Sequence, residues 1–151
     1  MINVPTDITL DQLAFLSVES LIEAYHICPD QNIQARIIRI LADLGDDLAL
    51  DLLVDVVGVE VANHCQGNVR RVAARGLEQM VISTTDPEKK QKAIDKLSWA
   101  LLNAEDWALR YAAAVSLGGI ATKEINTILY QAMRQESDRV VKERIRMILN
   151  V

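Results

Sequence analysis

The feature that most constrains the fold of this chain is an apolar ridge that recurs four times. In each copy three apolar residues stand four positions apart, a spacing that places their side chains above one another on one helix face. The four ridges are Ile33-Ile37-Leu41, Val69-Ala73-Leu77, Leu109-Ala113-Leu117 and Val141-Ile145-Leu149. Their starts are 36, 40 and 32 residues apart, which is the period of a two-helix unit. The chain is therefore predicted to be a row of helix pairs that share one continuous core.

Second helices are predicted between the ridges, at about 46–62, 87–103 and 123–135, and an extra amphipathic helix at about 9–26 leads the row. Half of the residues are hydrophobic but only 4% are aromatic, a mixture that favours close-packed helices over aromatic-rich strands. We expect one all-α domain over residues 1–151. Its architecture should be a HEAT-like helical-repeat solenoid, a right-handed superhelix of about four helix pairs.

The joint before the second ridge departs from the rule that the other joints follow. Asp30, Asp106 and Asp138 each stand three residues before a ridge, where an aspartate side chain can cap the first backbone N–H groups of a helix. In the second unit that position is Gln66, a poorer cap, and Gly67 follows it. We therefore predict a polar turn over NHCQGN, residues 63–68, and because local rules tend to break at functional sites, a site there.

The repeats also resemble those of a known family. Their period, the Asp-x-x-apolar-Arg start and the stretch DWALRYAAAVSLGGIA at 106–121 are similar to the HEAT-like repeats of the E and F subunits of phycobilin lyases. This resemblance covers about residues 30–150. The hexapeptide NHCQGN at 63–68 further resembles the motif that marks the F subunits of phycoviolobilin lyase–isomerases.

The resemblance implies an enzyme subunit that acts together with an E-type partner in a heterodimer. Its two activities would be attachment of phycocyanobilin to a cysteine of the apo phycoerythrocyanin α subunit and isomerisation of that bilin to phycoviolobilin. The bilin is then a substrate, and no cofactor is expected. Two alternatives stay open: a phycobilin lyase subunit without isomerase activity, and a non-catalytic HEAT scaffold that binds phycobiliproteins.

Two residues of the hexapeptide suit the isomerisation and are the candidate catalytic residues, His64 and Cys65. The reaction moves a double bond from the bridge between rings A and B into ring A. One proton leaves a ring carbon and one is delivered to the bridge carbon, so a general base and a general acid are needed. His64 can play either part, because the pKa of an unperturbed histidine is about 6.5. Cys65 can be the complementary proton donor or acceptor, or a transient nucleophile.

The other residues of the hexapeptide are candidates for binding the bilin. Asn63, Gln66 and Asn68 carry amide groups that can hydrogen-bond the lactam and pyrrole groups of a bilin. Gly67 would let the backbone turn tightly and approach the tetrapyrrole.

Charged and aromatic side chains beyond the hexapeptide supply further binding candidates. Arg71 and Arg75 lie one helical turn apart and can face the two bilin propionates. Trp107 and Tyr111 share a helix face and can either stack on the tetrapyrrole or fill the groove between repeats. Arg70, by contrast, is expected to bond the helix end of a neighbouring repeat or its acidic cap, as is its counterpart Arg110.

Several other classes of function are disfavoured. The net charge of −5 weighs against a nucleic-acid partner, and no apolar run approaches the roughly 20 residues of a membrane span. The N-terminus lacks the features of a signal peptide, so we expect a cytoplasmic protein with reduced thiols. No metal site is expected from His26, Cys28, His64 and Cys65, because adjacent ligands strain a tetrahedral zinc site. His26 and Cys28 are instead expected to close the first helix.

Overall fold

The computed structural model describes residues 8–59 and 64–151, and of residues 64–66 it describes the backbone alone. Every regular element in these residues is helical, which confirms the all-α prediction. The helices are α1 (Leu10–Leu13), α2 (Val18–Ile27), α3 (Gln31–Leu44), α4 (Leu50–Gly58), α5 (His64–Ser83), α6 (Pro87–Asn103), α7 (Trp107–Ile120), α8 (Lys123–Gln135) and α9 (Arg139–Leu149); one 3-10 turn, Asp47–Ala49, precedes α4.

The helices form two rows. The ridge helices α3, α5, α7 and α9 pack against one another in chain order, and α4, α6 and α8 form the second row behind them. Ten of the twelve ridge residues are buried, while Val69 and Leu149 are partly buried against the same core. The predicted ridges therefore build the core of a helical-repeat solenoid. The right-handed sense of its superhelix stays a prediction.

The aspartate caps are confirmed at three ridge helices. A carboxylate oxygen of Asp30, Asp106 or Asp138 accepts a hydrogen bond from the backbone N–H two residues later, at 2.8, 3.0 and 2.8 Å. Each carboxylate thus satisfies a donor that lacks an intrahelical partner and lies near the positive end of the helix dipole. The caps fix where α3, α7 and α9 begin. They therefore help to determine which residues of these helices lie on the exposed face.

Two predicted boundaries were wrong. The leading helix at 9–26 is two helices, α1 and α2, because Ser17 adopts an extended conformation and its hydroxyl caps α2 by accepting from the Ser20 N–H at 3.1 Å. The second helix predicted at 46–62 begins with the 3-10 turn, and α4 ends at Gly58. The predicted closure of the first helix is confirmed, since Ile27 is its last residue and the buried Cys28 is its C-cap.

A close contact between the backbones of neighbouring repeats lies at Gly76 of α5. A Cβ atom at this position would lie 2.7 Å from Leu53 Cδ1 of α4 and 2.9 Å from both Cα and Cβ of Ala42 on α3. The absence of a side chain therefore lets α5 approach α3 closely.

None of the helices described in residues 8–59 and 64–151 has the length and apolar character needed to span a bilayer.

Candidate functional site

The segment predicted to be a polar turn belongs largely to α5, whose backbone is helical from His64 onward. The prediction of a polar turn was therefore wrong over residues 64–68, while residue 63 lies outside the described residues. Gly67 is a buried residue inside α5 and forms no turn. A glycine costs about 1 kcal/mol relative to alanine inside a helix, a preference that tertiary packing routinely overrides.

The helical start of α5 changes how the candidate residues are arranged. Positions 64, 68, 71 and 75 are spaced by four, three and four residues, so they follow one face of α5. Asn68 and Arg75 are exposed on this face and Arg71 is partly exposed. We call positions 64, 68, 71 and 75 the α5 stripe. Asn63 lies outside the described residues, and the side chains of His64, Cys65 and Gln66 do as well.

The two arginines of the α5 stripe bridge α5 to the helices on either side. Arg71 Nη1 lies 3.4 Å from Oδ2 of Asp106, the N-cap of α7. Arg75 Nη2 lies 2.6 Å from Asp43 Oδ1 on α3. The Arg71 and Arg75 side chains are 30% and 45% exposed, so each pair is partly solvated and contributes about 1 kcal/mol or less. The structure thus places both arginines on the exposed face and gives each a carboxylate partner within the chain.

Arg70 and Arg110 have the structural roles that the sequence predicts. Arg70 is only 2% exposed, and its Nε and Nη2 donate to the Val57 carbonyl near the end of α4 at 3.0 and 2.8 Å. Arg110 donates from Nη1 to the carbonyl of Ala104 at 2.9 Å and pairs through Nε and Nη2 with the buried carboxylate of Glu136. Both guanidinium groups thus join one repeat to the next.

The two aromatic candidates differ in their surroundings. Trp107, in the first turn of α7, is 48% exposed. Tyr111 is partly buried and faces α9, where Arg144 Nε donates to its hydroxyl at 2.9 Å and the guanidinium lies 5.4 Å from the ring centroid. Tyr111 therefore lines a groove of about 390 Å³ between α7 and α9. Its ring already has a cation partner, whereas the Trp107 ring is open to a ligand.

A basic groove lies on the side of α5 that faces α3. Its arginines are not among the residues that the sequence analysis predicts. It measures about 470 Å³ and lies between α1, α3 and α5. Asn68 of the hexapeptide lines it together with Arg36 and Arg39 of α3. One signal in the sequence does point to Arg39, because it follows Ile33 by six residues, as Arg75 follows Val69.

One carboxylate near the α5 stripe has a perturbed pKa. Burial raises the pKa of Glu78, and a hydrogen bond with Ser116 and the charge of Arg75 partly oppose this increase.

Within residues 8–59 and 67–151, no three His, Cys, Asp or Glu side chains group in a way that could hold a metal ion.

Comparison with known proteins identifies the family. Residues 59–150 match the HEAT repeats. The chain is 53% identical over 140 residues to "Bilin biosynthesis protein PecF" of Mastigocladus laminosus, a match that covers 93% of this chain and 66% of that protein. It is 52% identical over 141 residues to the protein of the same name from Nostoc sp. PCC 7120, covering 93% of this chain and 82% of that protein.

The chain belongs to the PecF family of bilin biosynthesis proteins. The members of this family that the chain matches are longer than the chain itself, since it spans 66% of the Mastigocladus protein and 82% of the Nostoc protein.

Two more distant matches are proteins whose names identify them as parts of lyases. "Phycocyanobilin lyase subunit beta" of Nostoc sp. PCC 7120 is 33% identical over 127 residues, which are 77% of this chain and 61% of that protein. A solved structure, the complex of CpcE and CpcF of phycocyanin lyase from Nostoc sp. PCC 7120, matches with a TM-score of 0.66 at 26% identity. That match covers 92% of this chain and 79% of the other chain, so it includes most of the helical repeats.

Proposed function

We propose that this chain is the F-type subunit of a bilin lyase–isomerase. With an E-type subunit it attaches phycocyanobilin to a cysteine of the apo phycoerythrocyanin α subunit and isomerises the bilin to phycoviolobilin. The observation that carries the proposal is the identity of 52–53% with two bilin biosynthesis proteins over 93% of the chain. The heterodimer is supported by the similar fold of a chain in the complex of CpcE and CpcF.

The chemistry of both steps balances without a further reactant. In attachment, the thiol of the acceptor protein adds to the ethylidene group of ring A, a C–S bond forms and the thiol proton passes to a ring carbon. In isomerisation, one proton leaves ring A and one is added at the methine bridge. The bilin is therefore a substrate, and the proposed enzyme has no resident cofactor. We place it in the cytoplasm, where the acceptor thiol stays reduced.

The proposed catalytic residues are His64 and Cys65, at the start of α5. A cysteine in the first turn of a helix lies near the positive end of the helix dipole, which favours the thiolate. Asn63, Gln66 and Asn68 are proposed to hydrogen-bond the tetrapyrrole, and Arg71 and Arg75 to contribute positive charge.

The remaining proposed contacts with the bilin are made by Gly67, Trp107 and Tyr111. Gly67 is buried within α5, so its proposed part is to let a neighbouring group approach the helix backbone closely. Trp107 is proposed to stack on the tetrapyrrole, since almost half of its surface is open. Because the Arg144 guanidinium lies over the ring of Tyr111, the proposed contact of Tyr111 with the bilin is made by the edge of its ring.

The first test is a reconstitution of this chain with an E-type partner, phycocyanobilin and the apo α subunit of phycoerythrocyanin. The adduct is denatured in acid before its absorption spectrum is recorded, so that the protein no longer tunes the colour. Because the isomerised bilin has a shorter conjugated system, the proposal predicts a blue-shifted spectrum. No adduct, with all four components shown to be intact, would contradict the proposal and favour a non-catalytic scaffold.

The chain offers matched controls for the two catalytic candidates. Cys65→Ser is compared with Cys28→Ala, which removes the buried thiol that ends α2. His64→Gln is compared with His26→Gln, which removes the exposed histidine in the last turn of α2. The proposal expects the Cys65 and His64 variants to lose isomerisation and both controls to keep it. Full isomerisation by Cys65→Ser would remove the thiol from the mechanism.

A simple lyase is the second candidate, favoured by the 33% identity with a phycocyanobilin lyase subunit. The same reconstitution distinguishes the two enzymes. A simple lyase would give an adduct that keeps the unshifted spectrum of phycocyanobilin after acid denaturation.

A further inference from the structure

The groove between α1, α3 and α5 combines positive charge with an apolar lining. Its basic members are Arg36 and Arg39, its amide members are Asn32 and Asn68, and Asp11 is its acidic member. The apolar part consists of Leu10, Ala35, Val69 and Val72. Among the described residues, two cations against one carboxylate give the lining of the groove a net positive charge.

The two arginines of this groove, Arg36 and Arg39, are exposed to solvent. They lie three residues apart on α3, so they share a helix face. Within the described residues, neither guanidinium lies within ion-pair distance of a carboxylate. The arginines of the α5 stripe differ in this respect, because Arg71 and Arg75 pair with Asp106 and Asp43. Among the described residues, an anionic ligand would therefore meet arginines without a carboxylate partner on α3 and ion-paired arginines on α5.

The groove suits an amphiphile that carries two carboxylates. A bilin is an open-chain tetrapyrrole with apolar ring edges, amide-like lactam and pyrrole groups, and one propionate on each of its two central rings. A volume of about 470 Å³ lies within the range of about 300–1,000 Å³ of pockets that hold small ligands. Guanidinium groups bind carboxylates through two parallel hydrogen bonds, so two arginines on one helix face match two propionates.

The groove also lies beside the proposed catalytic segment. Asn68 lines it, and position 64 is four residues earlier on the same helix. At 1.5 Å per residue these two backbone positions are about 6 Å apart along the helix axis. A bilin anchored by its central rings in the groove would therefore have an outer ring near the start of α5.

We propose that Arg36 and Arg39 bind the two propionates of the bilin and that the groove between α1, α3 and α5 is part of its substrate-binding site. This inference rests on the proposed function and adds a specific anchor to it. Because the propionates are remote from the reacting ring, the two arginines contribute equally to ground-state and transition-state binding. Their loss should raise KM for the bilin with little change in kcat.

The test compares phycocyanobilin with its dimethyl ester, in which both propionate charges are removed. Bilin binding by absorption titration and adduct formation are measured for the complex of this chain with the E-type subunit. Wild type should bind the ester more weakly than the free acid, by about 10-fold for each arginine. The double variant Arg36→Gln/Arg39→Gln should bind the free acid as weakly as the ester, with kcat nearly unchanged. Since both side chains are exposed, the variant should fold normally.

Two further variants complete the experiment. Arg134→Gln removes an exposed arginine on α8, away from the groove, and should leave the discrimination between acid and ester intact. Arg71→Gln/Arg75→Gln tests the rival anchor on the α5 stripe. If that pair abolishes the discrimination while Arg36→Gln/Arg39→Gln keeps it, the propionates lie on α5 and the proposal is overturned.

The outcomes separate this proposal from the proposed function. Adduct formation with a normal KM in Arg36→Gln/Arg39→Gln would overturn the anchor and leave the lyase–isomerase standing. Discrimination between acid and ester that depends on the two arginines, without any adduct, would support the anchor and overturn the enzyme. Absence of bilin binding by the wild-type complex would overturn the anchor.

Discussion

Replacing Gly76 by alanine should destabilise the fold by separating α3 from α5. The new Cβ would lie 2.9 Å from Ala42 Cα and 2.7 Å from Leu53 Cδ1. Non-bonded carbon atoms prefer a separation of about 3.5–4.0 Å. The leucine methyl can rotate away, but Ala42 Cα belongs to the backbone of α3. The two helices must therefore move apart by roughly 0.6–1.1 Å at this point.

Two effects of opposite sign decide the magnitude for Gly76→Ala. Alanine is favoured over glycine inside a helix by about 0.8–1.0 kcal/mol. Overpacking a close-packed core costs about 1–3 kcal/mol, and the backbone contact with Ala42 places this site toward the upper part of that range. The net effect should be a loss of about 1–2 kcal/mol in the free energy of unfolding. For a chain of 151 residues this lowers Tm by about 2–8 °C.

The assay is thermal and urea unfolding followed by circular dichroism, with Gly119→Ala on α7 as the matched control. A Cβ at Gly119 would meet the carboxylate of Glu78, which is the flexible end of a partly exposed side chain and can turn aside. The control should therefore keep the helix-propensity gain and be as stable as wild type or slightly more stable. If Gly76→Ala is also as stable as wild type, the inferred close approach of α3 and α5 is wrong.

Three further predictions concern pH dependence and helix ends. Hydrogen bonds from Thr84 and then Lys89 hold the pKa of Asp47 below its usual value, so Thr84→Val should raise that pKa in an NMR titration. A lowered pKa contributes stability that is present above the unfolded pKa and lost as pH falls through the folded pKa, so in acid the variant should lose that contribution at a higher pH. Asp138→Ala removes the cap of α9 and should cost about 1 kcal/mol in urea unfolding, with faster amide exchange confined to the start of that helix. Ala121, at the C-cap of α7, has a φ of 52°, a left-handed conformation that costs a non-glycine residue about 1 kcal/mol, so Ala121→Gly should raise Tm by a few degrees.

Most of the fold could be predicted because its strongest signals are local. The helices predicted at 87–103 and 123–135 are observed with those bounds, since each has a cap residue directly before it and a clear apolar period. The helix predicted at 9–26 failed because a serine hydroxyl, rather than a proline or glycine, separates its two halves. Apolar periodicity does not record such a hydrogen bond, and a run of apolar residues can continue through the break.

The site was less predictable because its geometry depends on contacts between distant parts of the chain. The carboxylate partners of Arg71 and Arg75 lie 35 and 32 residues away, on the two neighbouring helices. Arg36 was outside the set of predicted residues because nothing near it in the sequence resembles a motif; only the packing of α3 against both α1 and α5 makes its groove. Arg70 was predictable because the repeat supplies an equivalent residue at the same register.

Equivalent exposed positions of the four ridge helices carry different residue types along the solenoid. The position six residues after the start of each ridge is exposed in all four ridge helices, and its occupants in chain order are Arg39, Arg75, Val115 and Met147. This row therefore changes from basic on α3 and α5 to apolar on α7 and α9. Since stacking of the ridge helices fixes these positions relative to one another, the change is a property of the surface and not of one flexible side chain. Arginines are also present between α7 and α9, where Arg139 and Arg144 line the groove beside Met147. Within the row itself, Arg75 is already paired with Asp43, so a propionate of a bilin on this surface should favour Arg39 of α3, whereas Val115 and Met147 offer no charge to replace its hydration.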